Sequence, residues 1–277
     1  MPQKVQWIST DACCIFHTVN TWDDEPTETE NLLPDINMLV CRLTGPSIVF
    51  ETADLPAPSD QAARKDECTL YYYKISVSGD ERCISQQWAL STIPFEFPHV
   101  PKHLAMSPAT FVYGCSVSRK SHNSEPQRSF KIGSLVKFNV RKLIARGISD
   151  PSSAVSGYVD YRTIEEILSS QHSDDTIQIF PMPNGWCAQE CTFVSREGGV
   201  SEDDGWLLTY VFDESQLDAL GHAPDSARSE LWVIDAKSMK EVVMRVRLPQ
   251  RVPYGFHGNW FTKDEILKQR SVTGHRG

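Results

Sequence analysis

The stretch "CTFVSREGGVSEDDGWLLTYVFD", residues 191–213, contains two runs of strand-forming residues separated by glycines and acids. The runs "CTFVSR" and "GWLLTYVFD" are rich in aromatic and branched side chains, and the segment between them has the composition of a turn. We therefore predict a β-hairpin here. Glu202, Asp203 and Asp204 are interpreted as turn and solubility residues.

The same pattern recurs along the chain. Short β-rich runs such as "INMLVCRL" (36–43) and "VVMRVRL" (242–248) are separated by polar, Pro-rich or Ser-rich segments, which predicts an all-β chain. Helical periodicity is brief, as in "YRTIEEILSS" (161–170) and "TKDEILKQ" (262–269), and indicates short loop helices. A sandwich, a barrel and a set of propeller blades all fit short strands joined by turns, and periodicity does not distinguish them.

Composition limits the class of protein. With 277 residues, 40% of them hydrophobic, the chain is long enough to bury a substantial core. The formal net charge of −9 leaves no electrostatic footprint for nucleic acid or for an anionic membrane surface. The beginning of the sequence, "MPQKVQWISTD", lacks the apolar core of a signal peptide, so we expect a cytoplasmic protein.

The eight cysteines are expected to be reduced core thiols, because several lie in strand-like runs and no secretory signal is visible. Cys187 and Cys191 are four positions apart, but no second pair or nearby histidine completes a zinc pattern. We therefore do not predict a zinc site.

Two of the eight histidines differ from the others in their surroundings. His17, in "IFHTVN", and His257, in "YGFHGN", are embedded in apolar or glycine-bounded sequence, where a buried imidazole needs hydrogen-bond partners or a metal. Sequence context alone leaves both a satisfied core histidine and a metal ligand open. The remaining histidines lie in loop, tail or proline-flanked sequence and are expected to be exposed: His99, His103, His122, His172, His222 and His275.

Two glutamates also stand in unusual sequence. Glu96 lies in "PFEFP", between two phenylalanines and two prolines, where an unpaired ionised carboxylate would be costly. Glu190, in "CAQECTFV", likewise lies in a β-rich run. Both are candidates for orienting a histidine ring if the histidines bind a metal.

Five motifs, in this order, together resemble the C-terminal half of the carotenoid cleavage oxygenases, a family that includes stilbene-cleaving dioxygenases and the retinal pigment epithelium retinoid isomerase. The resemblance runs from about residue 5 to 262. The motifs are "FHTVNTWDDE" (16–25), "FEFPHV" (95–100), "ECTFVSREGGVSEDDGWLLTYVFD" (190–213), "SELWVIDA" (229–236) and "VRLPQRVPYGFHGNW" (246–260).

The resemblance implies a seven-bladed β-propeller, of which residues 1–265 would form the C-terminal part and residues 266–277 a flexible tail. Four histidines on the axis of that fold hold a non-haem Fe(II) ion, and dioxygen there cleaves a conjugated double bond into two carbonyls. The substrate would be an apolar carotenoid, apocarotenoid or stilbene-like molecule. Phe97, Phe111, Phe256 and Trp260 could line an apolar tunnel for it, although core packing explains them equally well.

By the same resemblance, His17 and His257 match the third and fourth metal ligands. Glu96 would then accept a hydrogen bond from His17, and Glu190 from His257, which fixes the tautomer of each ring. The glycines beside His257 would let the chain end a strand at a crowded axis. Cys191 stands where the family usually has proline, and His99 where it has a basic residue; neither change touches a ligand.

The family's first two ligand histidines, another orienting glutamate and much of the substrate tunnel belong to an N-terminal half that this sequence does not match. We therefore expect that the chain alone lacks normal activity, and that it associates with itself or with such an N-terminal half. Because the implied substrate is apolar, the protein could contact a membrane peripherally to reach it. A catalytically inactive binding or scaffold protein derived from a propeller is the alternative.

Overall fold

Most of the regular secondary structure in the described residues is β-strand, which confirms the predicted all-β class. The computed structural model describes residues 5–25, 33–52, 55–56, 67–77, 82–118, 131–150, 157–170, 172–255 and 257–270. The strands are β1 (Cys14–Asp23), β2 (Ile36–Leu43), β3 (Cys68–Ser76), β4 (Cys83–Ser91), β5 (Glu96–His99), β6 (Phe111–Ser118), β7 (Lys131–Asn139), β8 (Tyr158–Asp160), β9 (Ile177–Pro181), β10 (Trp186–Ala188), β11 (Thr192–Ser195), β12 (Gly205–Asp213), β13 (Glu230–Asp235) and β14 (Val242–Arg247). The helices are α1 (Ser47–Thr52), α2 (Val140–Ser149), α3 (Ile164–Ser170) and α4 (Lys263–Leu267).

The described strands form two sheets. The first has five strands in the order β1-β2-β3-β4-β8, and only the β4–β8 pair is parallel. The second has nine strands and follows the path β14-β13-β12-β10-β7-β6-β5, with β11 beside β12 and β9 beside β7. Strands β11 and β12 are antiparallel neighbours, so the hairpin predicted from residues 191–213 is confirmed.

Two apolar clusters flank the middle of the second sheet. One cluster joins it to the first sheet and to α2 and α3, and it includes Trp88, Val136 and Phe138. The other includes Leu135 and Trp232 and lies on the opposite face of β7. Because successive side chains of a strand point to opposite faces, β7 is buried on both sides. This explains why its apolar residues fall on both faces of the strand, as the neighbours Leu135 and Val136 do.

Both helices predicted from periodicity are present, as α3 and α4, whereas α1 and α2 were not predicted. Helix α2 begins immediately after β7, where the Asn139 side chain accepts a hydrogen bond from Lys142 N at 3.0 Å. Its buried positions, Val140, Leu143, Ile144 and Gly147, follow helical spacing. A Cβ at Gly147 would collide with the indole of Trp88, so glycine is required for this helix to lie against β4.

The acids of the β11–β12 turn are structural rather than solubility residues, which corrects the sequence interpretation. Glu202 accepts hydrogen bonds from Thr110 N and Phe111 N at 2.7 Å each. Asp203 is buried and pairs with Lys137 Nζ at 2.7 Å, on a lysine side chain that is only 3% exposed. The turn is therefore fastened to β6 and β7 by charge-assisted hydrogen bonds, which are stronger than neutral ones.

The Lys137–Asp203 pair is held in place by several groups. Lys137 Nζ also donates to the Lys237 carbonyl at 3.1 Å and lies 4.4 Å from the centre of the Phe111 ring. Burial lowers the pKa of Lys137 in spite of the nearby carboxylate. Burial raises the pKa of Asp203, but the hydrogen bond from Lys137 outweighs it and leaves that pKa below its usual value.

None of the described helices is long and apolar enough to cross a lipid bilayer. Residues 271–277, most of the predicted tail, lie outside the described residues, so the flexible tail at 266–277 stays a prediction.

Removing one partner of the buried ion pair should destabilise the fold strongly. We expect Asp203→Ala to lower the free energy of unfolding by about 3–5 kcal/mol, because it leaves the Lys137 ammonium buried without its counter-charge. The double replacement Lys137→Met with Asp203→Leu should cost much less, since neither charge remains. Urea unfolding followed by tryptophan fluorescence measures both; equal losses in the two proteins would contradict the proposed role of the pair.

Strand β14 is an exposed edge. Among the described strands it pairs only with β13, and its side chains from Val243 to Arg247 are exposed. Val243, Met244 and Val246 are apolar, so the strand offers unpaired backbone groups together with apolar side chains. Such an edge is a template for pairing with another chain.

We expect the isolated chain to self-associate through this edge. Met244 and Val246 lie on one face of β14, and replacing both with lysine should increase the monomer fraction by charge repulsion. Sedimentation velocity measures the distribution of species. Val200→Lys, at an exposed residue of the β11–β12 turn, is the matched control and should leave that distribution unchanged.

Candidate metal centre

His17 and Glu96 form a short hydrogen bond between the two sheets. His17 lies on β1 and Glu96 is the first residue of β5, and His17 Nδ1 is 2.6 Å from Glu96 Oε2. The pairing of β1 with β2 is irregular on both sides of His17, between Ile15 and His17 and between Thr18 and Asn20. Such irregularities turn a side chain out of the regular alternation of a strand. The expected His17–Glu96 pair is therefore present.

Glu96 receives hydrogen bonds on both oxygens. Besides His17, the Phe97 backbone N donates to Oε2 at 2.8 Å, and the Cys68 thiol donates to Oε1 at 3.3 Å. The Glu96 side chain is only 12% exposed. The expectation that a carboxylate between phenylalanines must have partners is confirmed.

Phe97 adopts a strained backbone conformation beside the site, with φ of 53°. A positive φ is uncommon for a bulky residue, and such strain concentrates at functional positions. The ring of Phe97 lies 5.6 Å from the His17 ring and 6.0 Å from the His257 ring, measured between centroids. Phe97 therefore packs against both histidines.

His257 lies beside Glu190 in an irregular segment that follows β14. His257 Nδ1 is 3.3 Å from Glu190 Oε2, and the Gly258 backbone N donates to the same oxygen at 2.9 Å. Glu190 lies between β10 and β11 and its side chain is 14% exposed, whereas the side chain of His257 is 63% exposed. The expected neighbours are therefore brought together, but the hydrogen bond expected between them is not formed, and the contact is longer and more open than the first.

The glycines beside His257 do not serve the purpose expected of them. Strand β14 ends at Arg247, so His257 does not lie at the end of a strand. A Cβ at Gly258 would meet nothing within 4 Å in the described part of the chain, and one at Gly255 would make only ordinary contact with Gln189 Oε1 at 3.7 Å. The expectation of a crowded axis at these glycines is therefore wrong for the described residues.

Gln189, which the sequence analysis missed, anchors the segment that carries His257. Its Nε2 donates to the Pro253 carbonyl at 3.0 Å, while its backbone N donates to the Tyr210 carbonyl on β12 at 2.9 Å. Gln189 and Glu190 are adjacent, so one dipeptide binds the segment at two points. Only the position of Gln189 next to Glu190 could have indicated this role.

The two histidine rings are in T-shaped contact. Their centroids are 5.3 Å apart and the ring planes meet at 71°. Each Nδ1 is paired with a carboxylate, which leaves Nε2 as the nitrogen available to a metal ion. A carboxylate behind the imidazole is the usual arrangement at metal-binding histidines, so these residues fit the donor set of a metal site. Within the described ranges, no group of three or more His, Cys, Asp or Glu residues could hold a metal.

The other histidines mostly follow the expectation of exposure. His103, His172 and His222 are exposed, whereas His122 and His275 lie outside the described residues. His99 is partly buried, which corrects its prediction. Burial lowers the pKa of His99 to about 4, against an opposing hydrogen bond to the Phe193 backbone.

The remaining candidates have ordinary positions. Phe111 packs at the margin of the second apolar cluster, Trp260 is exposed, and Phe256 lies outside the described residues. All eight cysteines are described and none forms a disulfide. Cys83 is exposed, so the expectation of core thiols is wrong for that residue.

Comparison with known proteins identifies relatives over nearly the whole chain. The family model described as retinal pigment epithelial membrane protein matches residues 1–262. A carotenoid dioxygenase of Gibberella fujikuroi is 40% identical over 100% of this chain and 46% of its own length. A carotenoid 9,10(9',10')-cleavage dioxygenase of Pisum sativum is 26% identical over 96% of this chain and 40% of its own length. The chain thus spans less than half the length of these relatives.

Solved structures share the fold. Cobalt-substituted Synechocystis apocarotenoid oxygenase superimposes with a TM-score of 0.59 at 18% identity, over 93% of this chain and 41% of that one. The lignostilbene dioxygenase of Pseudomonas brassicacearum gives a TM-score of 0.56 at 18% identity, over 87% of this chain and 40% of that one. The strands therefore match the β-propeller fold of these oxygenases, while the number of blades stays a prediction.

Loss of the Gln189 side chain should loosen the segment around His257. We expect Gln189→Ala to speed amide hydrogen exchange at residues 254–258 about fivefold, the effect of losing one hydrogen bond of about 1 kcal/mol. Exchange followed by mass spectrometry measures this. Gln216→Ala removes a similar bond from a side chain to the Arg228 carbonyl elsewhere and should leave these residues unchanged. Equal exchange in wild type and Gln189→Ala would contradict the anchoring role.

Proposed function

The chain belongs to the retinal pigment epithelial membrane protein family, which includes carotenoid dioxygenases, and on that premise we propose that it forms part of a non-haem Fe(II) dioxygenase. The substrate is a carotenoid, an apocarotenoid or a stilbene-like alkene, the kinds of molecule named for its relatives. The observation that carries the proposal is the pair of histidine rings in T-shaped contact, each with a glutamate beside its Nδ1.

His17 and His257 are the proposed metal ligands. Glu96 accepts the Nδ1–H of His17, and Glu190 lies 3.3 Å from Nδ1 of His257, so a proton on each Nδ1 faces a carboxylate and the lone pair of Nε2 stays free. The negative charge behind each ring also increases its basicity, which strengthens a bond from Nε2 to a cation. A bound ferrous ion would supply the redox chemistry that lets dioxygen react with a closed-shell alkene.

The proposed reaction is complete with two reactants. One conjugated C=C bond of the substrate and the O–O bond of dioxygen break, and each of the two carbons gains one oxygen atom to become a carbonyl. Because both oxygen atoms enter the products, no further reductant is needed. An apolar, conjugated substrate suits surroundings such as the Phe97 ring, which contributes no competing polar group.

The remaining ligands must come from elsewhere, because the described residues bring only two imidazoles together. By the family pattern, an N-terminal half would supply two more histidines and complete the substrate tunnel. The open face of His257, which is 63% exposed, leaves space for such ligands. The alternative, an inactive binding or scaffold protein, is favoured by this same absence of a third ligand among the described residues, and metal binding separates the two functions.

Loss of either proposed ligand should abolish the binding of ferrous ion. We expect the wild-type chain to bind up to about one ferrous ion in anaerobic equilibrium dialysis, and His17→Ala and His257→Ala to bind none specifically. Glu190→Gln should weaken binding about 10–100-fold, as the loss of a carboxylate behind a ligand does elsewhere.

His222→Ala is the matched control for this experiment. His222 is exposed and lies 3.5 Å from Asp218, so it has a carboxylate neighbour but no second imidazole opposite. Its replacement should leave ferrous binding unchanged. Unaltered binding in His257→Ala would refute the ligand assignment, and a wild-type chain without saturable binding would favour the scaffold alternative.

A further inference from the structure

We propose that Cys68 is a positioning residue of the metal centre, whose thiol holds the Glu96 carboxylate in the orientation that binds His17. Cys68 Sγ donates to Glu96 Oε1 at 3.3 Å. His17 Nδ1 and the Phe97 backbone N both donate to the other oxygen, Oε2. The expected effect of Cys68 on metal binding rests on the proposed function, whereas its effect on Glu96 and His17 does not.

The thiol resists rotation of the carboxylate. The terminal torsion of a glutamate is broad and nearly two-fold, so rotation about it would exchange the two oxygens. Among the described residues, Cys68 is the one donor to Oε1. Without it, only the two bonds to Oε2 would hold the group that faces His17.

The backbone places Cys68 at this position. Cys68 begins β3 in the first sheet, and its carbonyl accepts a hydrogen bond from Phe95 N at 2.9 Å, immediately before Glu96. The backbone at Cys68 is therefore joined directly to the backbone next to Glu96. The thiol consequently reaches the carboxylate without an adjustable loop between them.

Cys68 is held in its protonated, donating form. The thiol of Cys41 lies beside that of Cys68 and affects its pKa. The Cys41 thiol lowers the pKa of Cys68, but burial and the negative charge of Glu96 outweigh this effect and raise the pKa above its ordinary value. Burial raises the pKa of Cys41 as well. Hydrogen bonds thus run from Cys68 through Glu96 to the ring of His17.

Three variants separate donation from packing. Cys68→Ala removes the donor, Cys68→Ser keeps an O–H donor at the same position, and Cys41→Ala is the matched control. The control removes a buried thiol of equal size that touches Cys68 rather than Glu96. Loss of packing alone would affect both alanine variants, whereas loss of the donor affects only Cys68→Ala.

The first measurement uses the metal-free chain and is independent of the proposed function. The rate at which the His17 Nδ1 proton exchanges with water, read by NMR of histidine-labelled protein, should rise about fivefold in Cys68→Ala, as expected for the loss of one hydrogen bond. In Cys68→Ser and Cys41→Ala it should stay within about twofold of wild type. Equal rates in wild type and Cys68→Ala would overturn the proposal.

The second measurement is the dissociation constant for Co²⁺, followed by its visible absorption. We expect Co²⁺ to bind about fivefold more weakly to Cys68→Ala, with recovery in Cys68→Ser. If serine behaves like alanine, the sulfur atom rather than its proton is required, and the proposal is wrong. If no variant binds Co²⁺, the proposed function fails, and the exchange of the His17 proton still decides the role of Cys68.

Discussion

The hydrogen bond between Glu96 and His17 is the interaction on which the rest of the site depends. It connects a strand of the first sheet to a strand of the second, and the Glu96 side chain is only 12% exposed. A carboxylate removed from water to this extent is stable only when donors surround it. Burial of Glu96 therefore determines which nitrogen of His17 carries the proton and where the ring points.

The second histidine is held by weaker means. His257 lies in an irregular segment and is mostly exposed, and its distance to Glu190 is 3.3 Å compared with 2.6 Å for the first pair. Its position comes from bonds that the Gln189–Glu190 dipeptide makes to the backbone at Pro253 and Gly258. The His17–Glu96 pair is thus formed by residues of the two sheets, whereas His257 lies in a segment that is attached to the surface of the second sheet. A partner segment that covers His257 would remove this asymmetry by excluding water from the longer pair.

Sequence motifs identified the four residues of the candidate centre but not the residues that support them. His17, His257, Glu96 and Glu190 stand out because their types are unusual in apolar or glycine-bounded sequence. Cys68 and Gln189 carry no such signal, since a cysteine at the start of a strand and a glutamine in a β-rich run are unremarkable. Asp203 was misread for a related reason, because its buried partner Lys137 is distant in sequence. Helix α2 was not predicted, although its capping asparagine and its helical spacing are both visible in the sequence, because it follows β7 without an intervening loop.

The sequence by itself determined the all-β class and the hairpin at residues 191–213, because strand patterning is a local property of the chain, and the resemblance of its motifs to a known family named the candidate ligands. Only the tertiary structure decided that the rings of His17 and His257 are in contact, with centroids 5.3 Å apart, and that Cys68 and Phe97 contact the first pair. These contacts join residues from both sheets and from the segment after β14. Their geometry depends on strand register and on the burial of charge, neither of which is a local property of sequence.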